Sequence, residues 1–379
     1  MRNPFITSGY AGPEYFCDRE KETSMLTDFL TNGNNVALIS PRRVGKTDLL
    51  HHCFRQSSVC DNYHTFIIDI YATTSVRDFV NVFGKAIIEE LRPKGRAVWE
   101  RFLSVLQSLR PEISFDINGM PVWGLGIGAI DNPSVTLDEI FRYLNEADKP
   151  CIVAIDEFQQ ITRYTDNQNM EALLRTYIQR TPNANFVFAG SQRHLMGAMF
   201  ISPSRPFYQS VTIMNLPLIS LDKYTAFAQK HFMENGRVLD AGVVNNIYHR
   251  FDGITSYLQR IMNMLFIQTA QGETCHEDMI ETAINTLLDI SSDTYLSLIY
   301  QIPEKQRDVL FAIAKEGRAR SVTGGKFIRT HHLTSASSVR SAINGLLEKD
   351  FITNDKGEYY VYDRFFGMWI ERNVLNAAQ

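Results

Sequence analysis

The chain has 379 residues, 44% of them hydrophobic and 21% charged, a balance that supports two or three globular domains with sizeable cores. Its net charge of −4 excludes a global pull toward nucleic acid or anionic membrane, although a local basic face stays open. The five scattered cysteines form no C-x-x-C pair and the histidines no H-E-x-x-H, so a disulfide scaffold and a zinc site are not expected.

The opening stretch MRNPFITSGYAGPEY lacks a basic-then-apolar leader pattern. No apolar run approaches the roughly 20 residues that span a bilayer. Together with the thiols, this predicts a cytoplasmic chain with no membrane partner.

In chain order, NVALIS (35–40), TFIIDIYA (65–72), CIVAIDEF (151–158), NFVFAGS (185–191) and VTIMNLPLI (211–219) read as buried strands. They are short, β-branched and apolar on both faces, as parallel strands covered by helices must be. Between them lie amphipathic stretches long enough for crossover helices, such as VRDFVNVFGKAIIEEL. The pattern predicts an α/β core over 1–219 with a parallel sheet. Asn118-Gly119 between two alternating runs predicts a β-hairpin insertion at about 111–131.

Residues 220–300 turn helical. Ile254, Leu258, Ile261, Leu265 and Phe266 recur at spacings of three and four, as do Ile280, Ala283, Ile284, Leu287 and Leu288. Residues 301–379 read as a winged-helix domain. PEKQRDVLFAIAKEG is one helix, SASSVRSAINGLLEKDFI a second that Ser335 or Ser337 would cap, and two strands flank Asp355-Lys356-Gly357.

The chemistry gathers in Ser40-Pro41-Arg42-Arg43-Val44-Gly45-Lys46-Thr47, set between a strand and the helix that Asp48 opens. The pattern is that of a phosphate loop, G-x-x-x-x-G-K-[ST], with its first glycine replaced. Backbone amides of such a loop point at the β-phosphate. Gly45 permits close approach, Lys46 meets the β- and γ-phosphates, and Thr47 offers its hydroxyl to Mg²⁺. Serine at position 40 costs about 1 kcal/mol if the turn wants glycine geometry, which weakens binding without abolishing it.

CIVAIDEF delivers Asp156 and Glu157 to a strand end, where a Mg²⁺–phosphate group would supply the charge they need. Asp156 would hold an ion-bound water and Glu157 polarise the attacking one; solvated loop acids are the bland alternative. NFVFAGSQ ends in Ser191-Gln192, which either contact the γ-phosphate or simply close a turn.

With these motifs in place, the chain resembles the archaeal-type ATPases of the signal-transduction (STAND-like) branch of AAA+ P-loop NTPases. The resemblance rests on YFCDREKE (15–22), SPRRVGKT, VAIDEFQ, FVFAGSQ, SRPFYQSV and DGITSYLQRI, and extends over nearly the whole chain. It implies an AAA+-like core, an α-helical lid, a C-terminal winged helix and an ATP site between core and lid. It makes Phe16 and Arg19 nucleotide contacts near the adenine; a core aromatic and a helix-start ion pair are the alternatives. It makes Arg205 an arginine finger for a neighbouring copy in a homo-oligomer, against a structural arginine paired to a local acid. Ser256 and Tyr257 stand about where many AAA+ proteins carry a lid arginine, and Arg260 is displaced by a helical turn.

The resulting expectation is an ATP-binding, Mg²⁺-dependent ATPase that works as a slow nucleotide-driven switch on a protein client. The alternatives are an ATP-dependent DNA-binding regulator and a scaffold that hydrolyses nothing. DNA contact would fall to Ser338, Arg340, Lys326 and Lys356. It is not favoured, since residues 303–373 hold twelve basic and nine acidic residues in no focused stripe.

Overall fold

A computed structural model describes residues 2–91, 112–115, 121–124, 133–164 and 169–375. The chain folds as two compact units: residues 4–227 with 253–259, and residues 228–252 with 260 onward and the first three.

The first unit is built on five parallel strands, β1 (Val36–Ile39), β2 (His64–Asp69), β5 (Cys151–Asp156), β6 (Ala184–Gly190) and β7 (Thr212–Asn215), in the order β2-β5-β6-β1-β7. Side chains alternate strictly between its faces. Ala37, Ile39, Val153, Ile155, Phe186 and Phe188 enter one core. Val36, Leu38, Ile152, Ala154, Val187 and Ala189 enter the other. A sheet buried on both faces needs the near-continuous apolar runs that the sequence contains. The run 211–219 yields only four strand residues; Pro217, which has no amide hydrogen, lies just beyond them.

Register aligns the C-terminal strand ends. Ile39 lies beside Gly190 and Asn215, and Asp69 beside Asp156. The residues that follow these ends therefore emerge along one edge, where open α/β sheets bind ligands. Strands β3 (Glu112–Phe115) and β4 (Pro121–Gly124) pair antiparallel, whereas Asn118-Gly119 lies outside the described residues.

The second unit holds helices Ala241–Arg250, Met279–Ile290 and Ser292–Gln301, and all but the first turn of helix Thr255–Gln268. Ile261, Leu265, Ile280, Ala283, Ile284 and Leu288 are buried, as their spacing requires. The winged helix follows as helix Glu304–Glu316, strand Ala319–Arg320, helix Gly325–Thr330, helix Ala336–Glu348, and strands Ile352–Asp355 and Glu358–Val361. Ser335 caps its long second helix through the Ser338 amide (3.2 Å). The sequence pattern predicted two helices and two strands; the structure adds strand Ala319–Arg320 and the short helices Gly325–Thr330 and Arg364–Ile370, none long enough to carry a clear period. No helix among the described residues is long and apolar enough to cross a membrane.

Candidate functional site

At the C-terminal edge of the sheet, β1 runs into residues 40–45 and then into helix α2 (Lys46–Phe54). Two loop residues take left-handed backbone, Gly45 (φ 88°) and Arg43 (φ 66°). Only Gly45 does so freely; for Arg43 the geometry costs about 1–2 kcal/mol. That strain is held by its surroundings. The Arg43 carbonyl accepts from the Ser256 amide at 3.0 Å, and its guanidinium donates to the Tyr257 hydroxyl with the ring 5.2 Å away.

Ser40 is not among the residues with positive φ. The turn out of β1 therefore does not demand glycine geometry, and the expected backbone penalty at this position does not arise. Ser40 is fully buried; its amide bonds the Gly190 carbonyl at 3.2 Å, and its hydroxyl has no hydrogen-bond partner among the described residues.

Lys46 and Thr47, in the first turn of α2, meet the end of β5. The Lys46 ammonium, 7% exposed, donates to Asp156 and lies 3.3 Å from Glu157 Oε1. The Thr47 hydroxyl donates to Asp156 Oδ2 at 2.5 Å. Asp156 is itself buried. Glu157 adopts left-handed backbone (φ 55°), uncommon for a residue with a long side chain and of the kind stored at functional sites. Its Oε2 accepts from Ser191 Oγ at 2.8 Å and from Gln159 Nε2 at 2.5 Å. Arg42 Nε in turn donates to Ser191 Oγ at 3.1 Å. A lysine, a threonine, two carboxylates and a serine, delivered by three strand ends, thus form one bonded cluster.

Above the cluster opens a cleft of about 270 Å³ that lies wholly within the first unit. Residues 41–48 form its floor, and Glu157 and Ser191 one side. Residues 6–12, Phe16 and the turn carrying Thr255 and Ser256 complete the wall. Phe16 stacks on His52 (4.4 Å, 23°), and the Tyr10 hydroxyl meets His52 Nδ1 at 2.7 Å. Burial lowers the His52 pKa, which favours the neutral ring. This aromatic end suits a flat base and the amide-rich floor suits phosphates.

Arg19 is 2% exposed at the start of helix α1 (Glu20–Thr31), with left-handed backbone (φ 81°). Its guanidinium lies 3.2 Å from Glu22 and 3.4 Å from the Val44 carbonyl. It reaches the cleft wall and also braces the phosphate loop from behind. Burial pushes the Asp48 carboxyl up, with His51 opposing weakly. Gln192 and Arg205 are not part of the cleft lining. Gln192 precedes helix Arg193–Ile201, and Arg205 is ion-paired with Glu171.

Sequence reasoning passed over several site residues. Asp69 adds a third carboxylate beside Asp156. Partial burial raises its pKa, the Tyr71 amide opposes, and the Asp156 and Glu157 charges add to the rise. Tyr10, His52 and Gln159 carried no spacing signal, because their partners are distant in sequence or sit in an irregular turn.

The cluster suits a magnesium–nucleotide. Gly45 faces open space where a Cβ would stand, so nothing blocks a phosphate approaching the loop. Among the described residues no group of three or more His, Cys, Asp or Glu gathers to hold a metal alone. Mg²⁺ binding through one or two protein oxygens plus phosphate and water matches the Thr47–Asp156 pair.

On the winged helix, Arg340, Lys326 and Lys356 are exposed and Ser338 is half-buried. The basic stretch 318–332 is partly neutralised. Arg318 bonds Asp252 (2.8 Å) and Glu358 (3.4 Å), Arg320 also bonds Glu358, and His331 lies 2.9 Å from Glu316.

Residues 16–261 match the family model "ATPase domain predominantly from Archaea", and residues 293–372 match "Probable winged helix domain". No curated protein matches significantly. Among solved structures, a Walker-type ATPase of Pyrococcus abyssi aligns at 18% identity, covering 97% of this chain and 99% of its own, with a TM-score of 0.63. The ORC1 protein of Aeropyrum pernix, solved in complex with DNA, aligns at 12% identity over 100% and 98%, TM-score 0.59. The ORC2 protein of the same organism, in ADPNP–ADP complexes, aligns at 12% over 100% and 99%, TM-score 0.57. At such identities the likeness is one of fold alone: a five-stranded parallel α/β core followed by helices and a winged helix.

Proposed function

We infer the function from one premise: this chain belongs to the family of ATPase domains found predominantly in Archaea. Within that membership, we propose that it binds Mg²⁺-ATP in the cleft over residues 41–48, hydrolyses it slowly, and uses the nucleotide state as a switch, as in the signal-transduction branch. The observation that carries this reading is the bonded cluster of Lys46, Thr47, Asp156, Glu157 and Ser191 beneath one cleft.

The amides of residues 42–47 would take the phosphates, and the Phe16–His52 end the base. Lys46 now rests on two carboxylates and would exchange them for phosphate oxygens. Thr47 and Asp156 would hold Mg²⁺, which supplies charge neutralisation across the phosphate oxygens. Glu157 would orient the attacking water and receive its proton as the oxygen attacks the γ-phosphorus and the bond to the bridging oxygen breaks. Ser191, supported by Arg42, would steady Glu157 and reach the γ-phosphate. Arg43 reports on the loop through Ser256 and Tyr257, which would let the residues after 253 sense occupancy.

The test is phosphate release from Mg²⁺-ATP by wild type, Lys46→Ala and Glu157→Gln. The expected result is full turnover by the wild type and only residual turnover, about 100-fold lower or less, in the two variants, with ATP affinity kept in Glu157→Gln and lost in Lys46→Ala. Equal turnover in all three would overturn the assignment. The switch is tested by hydrogen exchange of residues 303–372 with ADP and with a non-hydrolysable ATP analogue; identical protection would remove it.

A second reading, DNA contact, has support in the exposure of Lys326, Arg340 and Lys356 and in the ORC1–DNA likeness of fold. It predicts duplex binding that weakens steeply with salt and with Arg340→Ala. The neutralised Arg318 and Arg320 make it the lesser reading.

A further inference from the structure

Gln159 lies three residues past the end of Asp156's strand run, in the short 3-10 turn Phe158–Arg163. It is 2% exposed. Its amide nitrogen donates to Glu157 Oε2 at 2.5 Å. Its amide oxygen is buried and has no hydrogen-bond partner among the described residues. The oxygen lies against Gly190, where an added Cβ would come within 2.5 Å of it and 2.4 Å of Met196 Sδ. The amide cannot be turned over, since that would place the oxygen against a carboxylate.

A glutamine retained for folding alone would be a poor choice here. An unpaired buried carbonyl is a standing penalty, and an apolar side chain of the same shape would avoid it. Among the described residues the side chain bonds only Glu157. Glu157 also occupies strained left-handed backbone, so its carboxylate needs external restraint. The two oxygens of that carboxylate are treated differently. Oε2 is fixed by Gln159 and Ser191, while Oε1 faces Lys46 at 3.3 Å.

We infer that Gln159 is a positioning residue: together with Ser191 it pins Glu157 Oε2, so that Oε1 is the oxygen presented to the phosphate loop and to the attacking water. This rests on the reading of Glu157 as the water-orienting group. Gly190 belongs to the same device, because only a residue without a side chain leaves room for the Gln159 amide. Ser191 restrains the carboxylate from the neighbouring strand; Gln159 restrains it from its own turn, and two donors on one oxygen define its plane.

Steady-state hydrolysis by Gln159→Met, Glu157→Gln and the double variant tests the inference, with thermal melts and ATP titrations alongside. Gln159→Met should lower kcat by ~10- to 100-fold, the scale of a misplaced catalytic group, with KM changed by less than about threefold. Its melting temperature should equal or exceed that of the wild type. Gln159→Asn, too short to reach Glu157 from the same backbone, should lose kcat to a similar extent. In the Glu157→Gln background, Gln159→Met should cost less than about threefold more, since both changes remove one unit. Undiminished kcat in Gln159→Met, with Glu157→Gln reduced to residual turnover, would overturn the role of Gln159 alone. Losses that multiply in the double variant would also overturn it. Wild-type turnover in Glu157→Gln would overturn the reading of Glu157 and this inference with it.

Discussion

Replacing Ser40 with alanine should stabilise the protein and leave nucleotide binding intact. The Ser40 hydroxyl is fully buried without a partner among the described residues, a state that costs about 1–3 kcal/mol. Deleting one oxygen forfeits dispersion contacts worth only a few tenths of a kcal/mol. The net gain for Ser40→Ala is therefore about 1–2 kcal/mol. At roughly 2–4 °C per kcal/mol for a unit of this size, the melting temperature should rise by about 2–8 °C. Ser40→Gly relieves the same hydroxyl but returns about 0.5–1 kcal/mol of backbone entropy, so it should gain roughly half as much. The assay is thermal melting without nucleotide, paired with titration of a fluorescent ATP analogue whose Kd should stay within about threefold. A lower melting temperature in Ser40→Ala would refute the orphan-hydroxyl argument. A tenfold loss of ATP affinity would show that the hydroxyl meets the nucleotide, and that serine there is a ligand instead of a tolerated substitute.

Three further outcomes are expected. Tyr257→Phe removes the hydroxyl that Arg43 bonds, a loss of about 1 kcal/mol, so ATP-analogue affinity should fall roughly fivefold; unchanged affinity would separate the 253–259 turn from the loop. Burial holds the Asp48 pKa above its unfolded value, so the penalty for ionising it is absent below about pH 4 and grows as pH rises through the folded value. Asp48→Asn should therefore raise the melting temperature at pH 7, by an amount that vanishes as pH falls toward 4; an advantage that persists at pH 4 would contradict the burial argument. Arg205→Ala breaks the pair with Glu171, a partly exposed contact worth about 1 kcal/mol or less, and should leave turnover of dilute protein unchanged. A defect that appears only as protein concentration rises would assign Arg205 to a neighbouring copy's site.

The strands that build the site were legible because each carries its own signal. β5 is buried at all six positions, and its sequence is apolar up to Asp156, so periodicity and punctuation agreed. The strand, loop and helix over residues 36–54 were legible for the same reason, being consecutive in the chain. The order β2-β5-β6-β1-β7 left no trace in any one segment, since an apolar run does not say which strand lies beside it. The winged helix was recognised from its long elements, while strand Ala319–Arg320 and helix Gly325–Thr330 were missed. At the site, residue types were readable and partnerships were not. Arg19 read equally as a nucleotide contact or a helix-start pair, and its bond to the Val44 carbonyl follows only from the folded path of the loop. Gln159 was visible as a letter in VAIDEFQ, but its purpose depends on one backbone angle at Glu157 and on the missing side chain of Gly190.

The link from Arg43 to Tyr257 spans 214 residues of chain. A ribosome adding roughly 5–20 residues per second takes about 10–40 s to travel that distance. Throughout that interval the phosphate loop exists as sequence, and even as strand and helix, without the turn that holds its strained arginine. The cleft becomes complete only after residue 259 has left the exit tunnel. The loop and the turn that braces it are therefore made 214 residues apart, and the full cleft is a product of long-range closure of the chain and not of the loop alone.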